Sequence, residues 1–331
     1  MGERLDEQQI DVIVSEVGPR DGLQSLHRTM PTEAKVRWIE ALAAAGLREI
    51  EVGSFVSPKL LPQMADAAEV VAAATKIAGL KVLALAPNLK GAERALASGV
   101  HVISMPVSAS RAHSMSNVHM SPEDAVEQVR QVRALIDEQG SVTGLEVGIS
   151  TAFGCSIQGD VDEDYVMQLA RMLADAGVDS IGLSDSVGYA NPTQVKRMFT
   201  RLRAEIGEKA GAGHFHNTRG QGLANVVAAL EVGVTTFDAS QGGIGGCPYA
   251  PGATGNIVTE DLVFLLESMG LRTGIDLEKL FAARAILHEA LPGESIYGHT
   301  PEAGLPKNFV YARERKEVSR EAKEESGVTR V

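Results

Sequence analysis

Short apolar runs rich in β-branched residues alternate with longer segments of helical periodicity along most of the chain. Runs of this kind predict buried strands, and an amphipathic segment after each run predicts a helix packed on the sheet. The runs that we interpret as strands cover residues 11–17, 49–53, 80–86, 100–107, 143–149, 180–184, 211–215 and 234–238. Eight strands, each followed by a helix, predict an α/β fold of the (β/α)₈ barrel type.

Capping residues mark where several of the predicted helices begin. Thr32 is the predicted N-cap of a helix that runs to Ala45. Ser121 and Pro122 are typical of an N-cap and of the first helical position after it. The segment Ser108–Met120, which precedes this second helix, is polar and predicts a long loop.

The main alternative to a barrel is a doubly wound open sheet, which carries a glycine-rich phosphate-binding fingerprint after its first strand. The residues after the first strand are Gly18-Pro-Arg-Asp-Gly22, and they do not form this fingerprint. We therefore predict a barrel domain at residues 1–274. From residue 275 to 331 the pattern is helical and irregular, which predicts a small C-terminal helical extension with a charged tail.

Composition narrows the class of protein. With 331 residues and a hydrophobic fraction of 44%, the chain can bury one large core. The formal net charge of −12 argues against nucleic acid or an anionic membrane as a partner. No apolar run is long enough to cross a bilayer, and the polar N-terminus is unlike a secretory or transit peptide. The two cysteines, Cys155 and Cys247, fit a reducing compartment, so we expect a cytoplasmic protein.

Polar side chains follow several predicted strands at the ends that form the active-site rim of a barrel. The residues that we place on this rim are Arg20, Asp21, Glu51, Asp185, His214, His216, Cys247 and Asn256. His214 and His216 share one side of the seventh strand, because side chains alternate along a strand. Taken alone, such a histidine pair is more often packed in a core or placed on a loop. The convergence of so many polar residues on one rim favours a metal site.

An aspartate, two imidazoles and an asparagine amide form a mixed set of oxygen and nitrogen ligands. This set suits Mg²⁺ or Mn²⁺, with open positions for water or substrate. Zinc is less favoured, because Cys247 lies in a glycine-rich loop and not beside the histidines.

Three motifs carry a resemblance to a known family. They are Val17–Gln24 (VGPRDGLQ), Glu51 with Ser54–Lys59 (SFVSPK), and Gly242–Ala250 (GGIGGCPYA). Through them, the chain from about Val14 to Gly274 resembles 3-hydroxy-3-methylglutaryl-CoA lyase. That family belongs to a wider group of metal-dependent barrel lyases and carbon–carbon-forming synthases.

The resemblance implies a role for each residue on the rim. Arg20 would neutralise the enolate formed on cleavage, and Cys247, on a mobile loop, would take part in proton transfer. Glu51 and Asp185 fall on positions that the family keeps acidic around the site. The residues implied as ligands of the divalent cation are Asp21, His214, His216 and Asn256.

The chain departs from the family where the pattern usually continues Asp-Thr-Tyr-Gly-Gln after the second histidine. Here the segment reads Asn217-Thr-Arg-Gly-Gln221, so Arg219 replaces an aromatic side chain. We expect Arg219 to contact the substrate together with Arg20 and Gln24, although Arg219 could equally point to solvent or pair with an acid. The departure leaves the acyl group open to a related thioester, either citramalyl-CoA or a longer branched glutaryl-CoA.

These observations predict a metal-dependent homo-oligomeric lyase that cleaves 3-hydroxy-3-methylglutaryl-CoA to acetoacetate and acetyl-CoA. One alternative is a Claisen-type synthase that forms a carbon–carbon bond from a 2-oxo acid, and the Gly-Gly-Cys-Pro-Tyr loop argues against it. Another is a non-catalytic barrel that only binds CoA esters. The complete set of acid, base and ligand residues argues against that alternative.

Overall fold

Eight parallel strands form a closed barrel in the computed structural model, which describes residues 10–245 and 255–315. The strands are β1 Ile13–Glu16, β2 Glu49–Ser54, β3 Lys81–Leu85, β4 Val102–Ser108, β5 Gly144–Ser150, β6 Ser180–Asp185, β7 Ala210–Phe215 and β8 Thr236–Ala239. Each strand pairs with the next one along the chain, and β8 pairs with β1 to close the sheet. The predicted (β/α)₈ barrel is therefore confirmed.

Helices surround the sheet, and their starts follow the capping signals of the sequence in most cases. They are α1 Thr32–Ala44, α2 Ala67–Ala74, α3 Leu89–Ala97, α4 Arg111–Val118, α5 Pro122–Glu138, α6 Glu163–Asp175, α7 Pro192–Ile206, α8 Gly222–Leu230 and α9 Thr259–Ser268. At the start of α5, Ser121 and Asp124 cap each other's backbone amides in a capping box. Within the described residues, no helix has the length and apolar character needed to cross a membrane.

Two local predictions are wrong. The segment predicted as a loop before α5 contains α4, which Ser110 caps through its hydroxyl group. Most residues of α4 are polar, so the helix could not be predicted from hydrophobic periodicity. Thr32 is the first residue of α1, and Pro31 occupies the N-cap position. The Thr32 hydroxyl instead donates to Oδ2 of Asp66 at 2.7 Å, a tertiary contact that ties α1 to the start of α2.

The two faces of the strands differ in polarity. On β5, Leu145 and Val147 are buried in the apolar core, whereas Glu146 between them points into the barrel. At the N-terminal end of the barrel, Nζ of Lys81 lies 3.0 Å from carboxylate oxygens of both Glu49 and Glu146. A polar barrel interior therefore lies beneath the rim, and the apolar core lies between the sheet and the helices.

Two more helices, α10 Leu277–Ala290 and α11 His299–Ala303, follow the barrel. The segment between them contacts the loop after β8, where the Tyr297 amide donates to the Gly242 carbonyl at 3.0 Å. Gly243 has a φ of 63°, and a Cβ atom there would lie 2.4 Å from the Tyr297 ring, so the contact requires glycine. The C-terminal helical extension therefore holds the first part of the glycine-rich loop that leads to Cys247.

Candidate metal centre and active site

His214 and His216 converge at the C-terminal end of β7. Their Nε2 atoms lie 3.1 Å apart, and their ring planes are inclined by 48°. His214 belongs to β7, whereas His216 follows the strand and pairs with Asn256 in an isolated antiparallel bridge. Two neutral imidazoles need either a shared proton or a shared cation to bring these nitrogens so close.

Asn256 and Asp21 reach the histidines from opposite ends of the chain. The antiparallel bridge places Asn256 beside His216, and Nδ2 of Asn256 donates to Oδ2 of Asp21 at 2.7 Å. A π-helical turn at Gly18–Gly22, directly after β1, presents Asp21 to the site. Ligand atoms of Asp21, His214 and His216 all lie within 4.8 Å of one another. The structure thus brings together the four residues that the sequence reading proposed as ligands.

The donor atoms at this position fit a divalent cation. Oδ1 of Asn256 is buried and accepts no hydrogen bond within the part of the chain that the structure describes. A buried amide oxygen without a donor is costly, and a bound cation would satisfy it. Together with the Asp21 carboxylate and two imidazoles, this oxygen completes a set that suits Mg²⁺ or Mn²⁺.

The charges of the site set the ionisation of the candidate ligands. Burial opposes the ionisation of Asp21, but Arg20 and the two histidines lower its pKa to about 2. Burial and the neighbouring His214 lower the pKa of His216 to about 4. At neutral pH, Asp21 is therefore a carboxylate and His216 a neutral ring, which are the forms that bind metals.

Asp238 belongs to this site but was not predicted from the sequence. Its Oδ2 atom lies 2.9 Å from Nδ1 of His214. Burial lowers the pKa of His214, but the Asp238 carboxylate and Asp21 outweigh burial and raise it. A carboxylate at Nδ1 favours the tautomer in which Nε2 is free to bind a cation. Asp238 pairs with His214 in the register of β7 and β8. The signal for it in the sequence was an acidic residue inside a predicted strand.

Arg20 is held between two carboxylates. Its Nη1 donates to Oδ1 of Asp21 at 2.6 Å, and its Nε donates to Oε2 of Glu51. Glu51 also accepts a hydrogen bond from the Ser104 hydroxyl. Burial raises the pKa of Glu51, although Arg20 opposes this effect. Gln24 completes the group, because its Nε2 donates to Oδ1 of Asp21 at 2.8 Å.

Asp185 ends β6 and is 1% exposed. Its Oδ1 accepts a hydrogen bond from the Tyr189 amide at 2.8 Å, and its Oδ2 accepts one from the Ala190 amide at 3.1 Å. Burial raises the pKa of Asp185 to about 6, although both amides oppose the rise. In the β6–β7 register Asp185 pairs with Phe215, whereas Ser184 pairs with His214, so it is the raised pKa that connects Asp185 with proton transfer.

Within the described residues, Asp185 and Arg219 form hydrogen bonds with the turn after β6 and not with the candidate ligands. Arg219 contacts the turn after β6, where its Nη1 donates to the carbonyls of Val187 and Gly188 at 3.0 and 3.1 Å. Cys247 lies outside the described residues, between Gly245 and Gly255. The prediction that Cys247 takes part in proton transfer therefore stays a prediction.

Glu16, a buried glutamate beneath the rim, was also not predicted as a residue of this region, because it lies at the end of an apolar run. Its Oε1 accepts hydrogen bonds from the amides of Gly18 and Gln241 at 2.8 and 2.9 Å. Its Oε2 accepts one from the Thr259 hydroxyl at 2.7 Å. Burial raises the pKa of Glu16 to about 8, although all three donors oppose the rise. Glu16 therefore joins the turn that carries Asp21 to the loop after β8 and to the start of α9.

Comparison with known proteins is consistent with this geometry. The HMGL-like family model matches residues 11–287. The hydroxymethylglutaryl-CoA lyase of Bacillus subtilis is 41% identical over 280 residues, which cover 85% of this chain and 93% of that protein. A Pseudomonas aeruginosa protein named 3-hydroxy-3-isohexenylglutaryl-CoA/hydroxy-methylglutaryl-CoA lyase is 44% identical over 269 residues, 81% of this chain and 89% of that protein.

A solved structure gives the same assignment. An HMG-CoA lyase from Acinetobacter baumannii, in complex with coenzyme A and 3-methylmalate, matches this fold with a TM-score of 0.85. The two chains are 37% identical, and the match covers 93% of this chain and 99% of the other. By sequence and by fold, the chain belongs to the HMGL-like family.

Proposed function

We propose that the protein is a divalent-metal-dependent carbon–carbon lyase that cleaves 3-hydroxy-3-methylglutaryl-CoA to acetoacetate and acetyl-CoA. The observation that carries this proposal is the convergence of Arg20 with the four candidate metal ligands on one rim of an HMGL-like barrel. The B. subtilis and P. aeruginosa relatives, which are named as lyases of this thioester, support it.

The residues proposed to hold Mg²⁺ or Mn²⁺ are Asp21, His214, His216 and Asn256. When bound there, a divalent cation would lower the pKa of the substrate's tertiary hydroxyl group and help to orient the acyl chain. Asp21 would contribute a carboxylate, and Asn256 would contribute its Oδ1 atom, which accepts no hydrogen bond among the described residues. Asp238 keeps the ring of His214 in the orientation that directs Nε2 toward the other ligands.

Asp185 is proposed as the base that accepts the hydroxyl proton. As this proton leaves, the oxygen forms the ketone of acetoacetate, and the bond between the carbinol carbon and the methylene group beside the thioester breaks. A general base works best with a pKa near the working pH. The pKa of Asp185 is raised to about 6, whereas that of Asp21 is lowered to about 2. Asp21 is therefore the weaker base and the better ligand.

Arg20 is proposed to bind the enolate oxygen of the departing acetyl-CoA. Bond cleavage leaves an electron pair that is shared between the methylene carbon and the thioester oxygen, which becomes negatively charged. Glu51 and Asp21 fix Nε and Nη1 of Arg20, so the guanidinium group is already oriented before this charge develops. The proposed role of Glu51 is to hold Arg20 in this position.

Cys247 is proposed to give a proton to the methylene carbon, which becomes the methyl group of acetyl-CoA. Gly245, which precedes Cys247 by two residues, lies beside the candidate ligands, and this position supports the proposed role. A Cβ atom on Gly245 would lie 2.9 Å from Nδ2 of Asn256 and 3.3 Å from the carbonyl oxygen of Asp21. The loop that contains Cys247 therefore begins within the metal site.

A further part of the proposal is which acyl-CoA thioesters the enzyme cleaves. The P. aeruginosa relative is named for a longer isohexenyl thioester as well as for the hydroxymethyl one. A longer branched glutaryl-CoA is therefore a second candidate substrate for this chain, and citramalyl-CoA is a third. The A. baumannii structure contains coenzyme A, which supports a CoA thioester as the substrate class.

Steady-state kinetics with Mg²⁺ and a panel of these three thioesters tests the proposal. We expect equal amounts of acetoacetate and acetyl-CoA from 3-hydroxy-3-methylglutaryl-CoA, with the highest kcat/KM of the panel. A matched incubation with acetyl-CoA and 2-oxo acids should give no condensation product. Condensation without cleavage would indicate a Claisen-type synthase, and the absence of any product would indicate a barrel that only binds CoA esters.

Cellular location and assembly remain predictions. Two cysteines in 331 residues fit a reducing compartment such as the cytoplasm. A homo-oligomer is expected, and sedimentation velocity of the purified protein would determine the oligomeric state.

A further inference from the structure

The turn that follows β6 fixes the position of Asp185. Both carboxylate oxygens of Asp185 accept hydrogen bonds from amides of this turn, those of Tyr189 and Ala190. The orientation of the carboxylate therefore depends on the conformation of residues 185–190. Gly188 adopts a φ of 66°, and a Cβ atom at this position would lie 2.7 Å from Cβ of Thr218. The turn is packed tightly against the segment that follows the histidines.

Arg219 binds this turn in two ways. Its Nη1 atom donates to the carbonyl oxygens of Val187 and Gly188 at 3.0 and 3.1 Å. Its guanidinium carbon lies 4.6 Å from the centroid of the Tyr189 ring, a distance typical of a cation–π contact. Charge-assisted hydrogen bonds to carbonyl oxygens are stronger than neutral ones. One side chain thus holds three consecutive residues of the turn.

The side chain of Asn225, on α8, holds the end of the same turn, because its Nδ2 donates to the Ala190 carbonyl at 3.2 Å. On the other side, the Tyr189 ring lies against Gly154, where a Cβ atom would come within 2.9 Å of the ring. Both faces of the turn that Arg219 binds are therefore packed against other parts of the protein. Loss of Arg219 would free the middle of the turn, which is the part between the Asp185 carboxylate and the amides that bind it.

We propose that Arg219 is a positioning residue that keeps the amides of Tyr189 and Ala190 directed at the Asp185 carboxylate. The proposal rests on the proposed function, in which Asp185 accepts the substrate proton. The family pattern usually has an aromatic residue at position 219. An aromatic side chain could not donate two hydrogen bonds to these carbonyls, so arginine has a structural role at this position. It differs from a direct contact between Arg219 and the substrate, and experiment can separate the two roles.

The test compares the wild-type protein with Arg219→Gln and with a matched control, Arg203→Gln. Arg203 also donates from Nη1 to a loop carbonyl, that of Gly233, but Gly233 precedes β8 and so lies at the opposite end of the barrel. Four quantities are measured: hydrogen–deuterium exchange of the Tyr189 and Ala190 amides, kcat for cleavage, KM for cleavage, and Mn²⁺ affinity.

In Arg219→Gln we expect the two amides to exchange about ten-fold faster, because the turn opens more often. We expect kcat to fall about ten-fold, with KM and Mn²⁺ affinity changed less than about two-fold. Arg203→Gln should match the wild type in all four quantities. In a second pair, Tyr189→Leu should also speed exchange at Ala190, whereas Tyr189→Phe, which keeps the ring, should not.

Unchanged exchange at both amides in Arg219→Gln would overturn the proposal. If KM then rose selectively for thioesters with an anionic distal group, Arg219 would be assigned a direct contact with the substrate. The exchange measurement does not depend on turnover. If the wild-type protein failed to cleave any thioester, the proposed function would be wrong, and the exchange data would still decide whether Arg219 holds the turn.

Discussion

Oδ2 of Asp238 lies 2.9 Å from Nδ1 of His214, on the side of the ring opposite the nitrogen that faces His216. The contact connects two neighbouring strands of the barrel and determines how His214 is presented to a cation. Asp238→Ala should weaken Mn²⁺ binding about 10- to 100-fold, because the ring loses its fixed tautomer and orientation. Isothermal titration with Mn²⁺ measures this change. Unaltered affinity in a folded variant would show that Asp238 has no part in metal binding.

Arg20 is expected to act mainly in the transition state. Lysine keeps the positive charge but lacks the planar fork that Glu51 and Asp21 hold in place. Arg20→Lys should therefore lower kcat about 100- to 1,000-fold with a much smaller change in KM. Initial-rate kinetics with 3-hydroxy-3-methylglutaryl-CoA provide the measurement. A raised KM at nearly normal kcat would mean that Arg20 serves only to bind the substrate.

The pH dependence of turnover should report the ionisation of Asp185. A base must be deprotonated to accept a proton, and burial raises the pKa of Asp185 to about 6. The rate should therefore decrease as pH falls through about 6, and the residual activity of Asp185→Asn should lack this decrease. A pH–rate profile at saturating Mg²⁺ measures both. An identical acidic limb in the two proteins would assign the ionisation to another group.

The raised pKa of Glu16 predicts that pH changes the free energy of unfolding through this residue and does not change the rate of the reaction through it. Its pKa is about 8 in the folded protein, above the ordinary value of 4.5, so the folded state binds the proton more tightly than the unfolded state. This contribution is fully present below pH 4.5 and is lost as pH rises through about 8. The free energy of unfolding should therefore fall more steeply over this range in the wild type than in Glu16→Gln. Urea unfolding at several pH values tests this, and parallel curves for the two proteins would contradict it.

Much of the fold and most of the candidate site could be predicted because both depend on the order of the strands. Strand ends meet at one rim whatever the details of packing, so Asp21 and the histidines could be placed together from their positions in sequence. The antiparallel bridge between His216 and Asn256 then completes the site.

The features that escaped prediction depend on tertiary contacts between distant residues. Asp238 is opposite His214 only in the register of two paired strands. Glu16 is stabilised by donors from Gln241 and Thr259, which lie more than 200 residues further along the chain. The direction of Arg219 follows from the shape of a turn about 30 residues away, which no local pattern in the sequence encodes.

The proposed lyase activity depends on a divalent-metal site formed by Asp21, His214, His216 and Asn256. The most direct test titrates metal-free protein with Mg²⁺ in the presence of 3-hydroxy-3-methylglutaryl-CoA and follows the release of acetyl-CoA. We expect acetyl-CoA release by the wild type to depend on Mg²⁺, and we expect His216→Ala, although folded, to release none and to bind Mn²⁺ weakly. Full activity in the absence of a divalent cation, or wild-type Mn²⁺ affinity in His216→Ala, would contradict this expectation.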